Sequence, residues 1–211
     1  MSEAVAAVDP HPGSRQYLGV TNGKFGMWIF LGSDGMSFMG LIAAYVALRV
    51  SNMDSWPLPS IALNIPLTAL NTFILICSSV SMVKAFSAAQ DGNVAKLKLW
   101  LGVTILGGAF FLGVQAYEYY HLIHEEMTPT TLSAAILESK PDASTLFGAT
   151  FYSLTCFHGF HVLSGVIYLS VILLLVMRGS WTVNRIEVVG LYWHFVDLVW
   201  IIIFTIVYLV E

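Results

Sequence analysis

The stretch LYWHFVDLVWIIIF, residues 191–204, decides how the whole chain is read. It is apolar except for His194 and Asp197, which sit one helical turn apart with Trp193 and Trp200 close by. A run this apolar is at home in lipid. Ionisable groups at membrane depth are costly and face a bundle interior or water. The stretch therefore predicts a membrane-crossing helix whose imidazole and carboxylate look toward other helices.

The rest of the chain agrees. Of 211 residues, 57% are hydrophobic and only 10% charged, against about a quarter charged in a soluble domain. A crossing helix needs about 20 mostly apolar residues, and five segments qualify: 25–50, 65–86, 100–121, 147–177 and 188–210. Helices satisfy every backbone group where no water is present. The expected fold is thus an all-α membrane protein, a bundle of five transmembrane helices. The fourth segment is long enough to tilt or extend beyond the bilayer. Residues 1–24 contain Asp9-Pro10 and Pro12-Gly13 and no long apolar run, so they read as a soluble N-terminal tail. Residues 25–211 read as one domain, with a short interfacial helix expected near 132–137 in an acidic connection. A net charge of −4 without a basic run excludes nucleic acid as an expected partner.

Lys and Arg favour the cytoplasmic side of a membrane. With the N-terminus inside, the inner segments hold Arg15, Lys24, Lys84, Lys96, Lys98, Arg178 and Arg185, while the outer ones hold Arg49 and Lys140. Seven against two predicts the N-terminus inside and the C-terminus outside.

The polar groups within the spans are the candidate site: Asp34, Glu118, His158, His161, His194 and Asp197. At about 1.5 Å per residue, Asp34 and Asp197 both lie roughly 13 Å from the inner end of their spans, and Glu118 and His158 roughly 27–28 Å. This spacing predicts an inner layer of Asp34, His194 and Asp197. An outer layer would hold Glu118 and His158, with His161 between the two. Three readings stay open: hydrogen-bonded structural pairs, proton handling, and a metal or haem site. Glu118-x-x-His121 has di-iron spacing, but such a site needs two of these motifs and two further glutamates from facing helices. A dinuclear copper centre would want paired thiolates. Cys77 and Cys156 form no CxxC pair and are expected to pack as small apolar residues. No catalytic, cofactor-binding or metal-ligating residue is assigned.

Gly102, Gly107, Gly108 and Gly113 predict close helix approach in the third span. Asn71 and Gln115 are expected to bridge helices. Trp28, Trp100, Trp181 and Trp193 read as interfacial anchors.

Five of these stretches together resemble subunit III of the haem-copper respiratory oxidases, the cytochrome c and cytochrome o ubiquinol oxidase family. They are KFGMWIFLGSDGMSF (24–38), LNTFILICSSVSM (70–82), VQAYEYYHL (114–122), TFYSLTCFHGFHVLSG (150–165) and LYWHFVDLVW (191–200). Their order along the chain also matches the family's. The resemblance covers nearly everything from Lys24 onward and is similar to the short five-helix form, which lacks the first two of seven helices.

The resemblance implies a subunit without catalytic residues or cofactors of its own, in a bacterial cytoplasmic membrane. Haem and copper belong to partner subunits I and II. It implies packing directly on subunit I, bound phospholipid between helices, and support of proton uptake and of the stability of the complex during aerobic respiration. A respiratory supercomplex is a further partner to test. Ser33-Asp34 departs from the Ser-Glu of mitochondrial-type members and is similar to the cytochrome o branch, so both cytochrome c and quinol stay open as donor. Two alternatives differ in kind: a subunit III-like helper of a nitric oxide reductase, and an independent membrane carrier or metalloprotein.

Overall fold

The structure, a computed structural model, describes residues 21–210. Most of the expected tail, together with Arg15, lies outside the described residues. Seven α-helices follow in order: α1 (Asn22–Ser51), α2 (Pro59–Ala62), α3 (Ile65–Gln90), α4 (Val94–His124), α5 (Ala134–Ser139), α6 (Leu146–Met177) and α7 (Val183–Phe204). A five-residue π-helical turn, Thr205–Leu209, continues α7. Five helices are long and apolar enough to cross a membrane: α1, α3, α4, α6, and α7 extended to Leu209. They coincide with the five expected segments. α4 begins six residues early, at Val94, because Asn93 caps it by accepting from the Lys96 amide at 3.1 Å. The short interfacial helix is present as α5.

α3, α4, α6 and α7 pack in a closed ring, each against the next. α1 lies outside the ring, against α6 and α7, and buries only Phe38 and Tyr45 fully. α7 is enclosed on several sides. Its buried positions Ile186, Val189, Trp193, Val196, Trp200 and Ile203 recur every three or four residues, the period of a helix face. The richness of residues 191–204 thus reflects a helix that touches α1, α3 and α6 at once.

Small residues set the closest approaches. A Cβ on Gly107 would lie 2.7 Å from Ser78 Cβ, and one on Gly108 2.4 Å from Trp193 Cη2. Gly102 and Gly113 have nothing within 4 Å of that position, so only two of the four glycines serve packing. Trp193 is a correction. It is 1% exposed and donates to Ser78 Oγ at 3.1 Å, so it is core and not an interfacial anchor. Cys77 and Cys156 are free and exposed; both face outward and not, as expected, into the packing.

One end of the bundle joins the starts of α1 and α7. Thr21 Oγ1 donates to Asn184 Oδ1 at 2.7 Å, and Lys24 is ion-paired with Glu187. At the other end the two long connections meet, with the Ser144 amide donating to Ser55 O at 2.8 Å.

Candidate functional site: a buried polar network

Asp34 stands on the face of α1 turned to α6. Its Oδ1 lies 3.2 Å from His161 Nε2, and His161 Nδ1 lies 2.7 Å from Phe157 O. The second ring contact, within α6, fixes the imidazole for the first. Phe38, one turn beyond Asp34, covers His161 edge-on at 5.1 Å between ring centres.

The expected inner layer is corrected here. Among the described residues Asp34 pairs with His161 and not with His194 or Asp197. His194 turns to α3, where its Nδ1 lies 2.6 Å from Ser79 Oγ, and Ser79 also neighbours the Asp197 carboxyl. The reason is helical geometry. Successive residues point about 100° apart on a helix of 3.6 residues per turn. On α7 the α1-facing position is Phe195, which a Cβ on Gly35 would approach to 3.6 Å. His194 and Asp197 therefore address a different neighbour, despite a depth similar to that of Asp34.

The outer layer also divides. Glu118 is 5% exposed and faces α3 and the π-turn. It accepts from Thr68 Oγ1 at 3.0 Å, from Tyr208 OH at 3.3 Å and from Gln115 Nε2 at 3.4 Å. The next residue, Tyr119, faces α6 and donates to Thr155 Oγ1 at 2.8 Å. His158 is fully buried but makes no hydrogen bond with Glu118 among the described residues. Its ring stacks on Trp200 at 4.8 Å and 29°, and Phe111 meets it edge-on at 5.9 Å. Neither ring nitrogen has a hydrogen-bond partner among the described residues.

Asn71 bridges helices as expected, donating to Phe111 O on α4 at 3.2 Å. Gln115 does not, since its contact with Glu118 stays within α4. Trp200 Nε1 donates to Thr72 Oγ1 at 2.9 Å, so the buried indoles of Trp193 and Trp200 are each anchored by a hydroxyl of α3. Thr68, Thr72, Ser78, Ser79 and Tyr208 are the participants that the sequence reading passed over. The signal was available: hydroxyls at 68, 72 and 78, with Asn71 and Leu75 between them, follow one helix face.

His121 and Glu118 line one cavity but are not joined by a hydrogen bond or ion pair among the described residues. His121 pairs at 3.5 Å with the exposed Glu125. Among the described residues, no three His, Cys, Asp or Glu side chains converge as a metal-ligand set. Several of the buried polar groups instead tie one helix to another, Asp34 to His161, Asn71 to Phe111 and Glu118 to Thr68 among them, an arrangement suited to helices that lipid does not sort by hydrophobicity.

This is a bundle of five apolar, membrane-length helices linked by buried polar contacts. The cytochrome c oxidase subunit III family model matches residues 11–211. The chain is 37% identical over 191 residues to cytochrome c oxidase subunit 3 of Bacillus subtilis (strain 168), covering 89% of this chain and 86% of that one. It is 34% identical over 194 residues to cytochrome c oxidase subunit 3 of Bacillus sp. (strain PS3), with coverage of 89% and 86%. To cytochrome c oxidase subunit 3 of Synechocystis sp. (strain ATCC 27184 / PCC 6803 / Kazusa) it is 39% identical over 199 residues, covering 88% and 74%. The chain belongs to the cytochrome c oxidase subunit III family.

Proposed function

We propose that this chain is the non-catalytic subunit III of a proton-translocating haem-copper terminal oxidase that reduces oxygen to water. The observation that carries the reading is the family match from residue 11 to residue 211. The relatives above are oxidase subunits, which favours an oxidase over the nitric oxide reductase helper and cytochrome c over quinol as donor.

In this reading haem and copper reside in subunits I and II, and this chain packs directly on subunit I. The polar groups Asp34, Glu118, His158, His161, His194 and Asp197 within the spans serve helix register. Support of proton uptake, phospholipid binding and stability of the complex follow from a correctly assembled bundle. The chain lies in a bacterial cytoplasmic membrane with its N-terminus inside. Support for that orientation comes from the bundle end that carries Lys24, Lys84, Lys96, Lys98, Arg178 and Arg185, set against Arg49 and Lys140 at the other.

The test is a mild-detergent pulldown of the full chain from its native membranes, with partners identified by mass spectrometry. Recovery of a haem-copper subunit I together with subunit II is expected. Recovery of the chain alone, carrying a bound metal, would overturn the reading.

A further inference from the structure

Arg49 and Lys140, the two cations of the outer-side segments, are far apart in sequence, yet they line one cavity of about 420 Å3. Trp56, Met53, Leu58 and Ile61 share its wall. The cavity is built where the two long connections meet. Lys140 Nζ donates to Trp56 O at 3.1 Å. Arg49, in the last turn of α1, donates from Nη1 to Ile206 O at 3.4 Å.

Both contacts are to neutral carbonyls. The ion pairs among the described residues are Lys24–Glu187, His121–Glu125 and Asp34–His161, and neither Arg49 nor Lys140 takes part. Behind the cavity wall the buried Tyr45 ring meets Trp56 edge-on, 5.5 Å between ring centres. An arginine offers five N–H donors and a lysine three. The site thus holds a surplus of donors and of positive charge, and no carboxylate lines it. A guanidinium and an ammonium group that line one cavity suit an anion with several acceptor oxygens, above all a phosphate.

The rest of the wall separates a lipid from a free anion. Met53, Leu58 and Ile61 are exposed apolar side chains, continuous with the outward surface at the end of α1. Trp56 is buried against Tyr45 and Phe147 and forms the inner wall of the cavity. A phosphate held between Arg49 and Lys140 would leave its glyceride chains along that apolar rim. We propose that this cavity is a specific site for the phosphate of an anionic phospholipid in the outer leaflet. The assignment rests on the membrane orientation and the lipid-binding role proposed above, and it gives that role one location.

The test uses the complete oxidase complex, with wild-type chain or with Arg49→Gln/Lys140→Gln. After exhaustive detergent washing, phospholipid is counted by phosphorus assay and mass spectrometry. The wild type is expected to keep a phospholipid that the double variant loses, to regain it from phosphatidylglycerol, and not to release it to inorganic phosphate. Equal lipid counts in the two complexes would remove the site while leaving lipid binding elsewhere intact. Displacement by inorganic phosphate would identify a free-anion site and overturn the lipid. A wild-type complex without any phospholipid would end the wider lipid-binding role as well. Should the double variant fail to assemble, a photoactivatable phosphatidylglycerol in wild-type membranes decides the question. Adducts on Met53, Leu58 or Ile61 are expected, and adducts confined to other residues would overturn the proposal.

Discussion

Asp34 Oδ1 and His161 Nε2 lie 3.2 Å apart, and this contact is the polar tie between the peripheral helix α1 and α6. Both side chains are about nine-tenths buried. α1 has few other buried anchors, so its docking depends on this pair more than any ring helix depends on one contact.

His161→Leu removes the partner and strands a buried carboxyl. Leaving a buried polar group unsatisfied costs about 1–3 kcal/mol. The expected result is loss of α1 docking, read as increased proteolysis within α1 and release of the chain from the complex on mild heating. Asp34→Asn keeps an oxygen acceptor and is expected to leave assembly largely intact. Equal heat resistance of His161→Leu and wild type would remove the pair from any structural role.

Gly108 meets Trp193 and Val166 so closely that even a methyl group must displace a buried ring. Gly108→Ala is therefore expected to destabilise the bundle by about 1–3 kcal/mol. Gly113→Ala, with open space at its Cβ position, gains helix propensity of up to about 1 kcal/mol. Thermal unfolding of the two variants in the same detergent should move in opposite directions. A common shift would mean that helix propensity, not ring contact, governs the site.

Tyr208 reaches Glu118 from the π-helical turn that continues α7, and it is fully buried there. Tyr208→Phe keeps the ring and removes one of the donors to Glu118, leaving Thr68 and Gln115. The cost of one such bond is about 1 kcal/mol. Thr68→Val is expected to cost a similar amount, and the double variant more than the sum, because Glu118 then keeps Gln115 alone. Strict additivity in a double-mutant cycle would show that the two donors do not share the carboxyl.

The fold was legible because five apolar runs in one chain admit few arrangements, and the charge bias divided the two ends of the bundle. Depth counted from a span end was not legible, because rise per residue is fixed but the stagger of one helix against another is not: Asp34 and His161, expected at different levels, lie 3.2 Å apart. Rotation was lost as well. Asp34, His194 and Asp197 occupy similar depths, but depth does not say which neighbour a side chain addresses on an enclosed helix. Trp193 was misread for the same reason: its distance from a span end was visible, its angle toward Ser78 was not. The hydroxyls of α3 were passed over because Ser and Thr cost little in a membrane helix and do not stand out as His or Glu do.

His158 separates structure from chemistry most sharply. Its ring sits between Trp200 and Phe111, while both nitrogens lack partners among the described residues. Replacing an unsatisfied buried polar group by an apolar one of similar shape is close to neutral. His158→Phe preserves the flat ring and its aromatic contacts, so it is expected to change stability by less than about 1.5 kcal/mol. His161→Phe, which breaks two polar contacts, should cost more. If His158 serves packing alone, His158→Phe also leaves oxygen consumption and proton translocation of the complex unchanged. A His158→Phe complex of full stability that turns over slowly, or pumps fewer protons, would give this imidazole a functional role that its static contacts do not reveal.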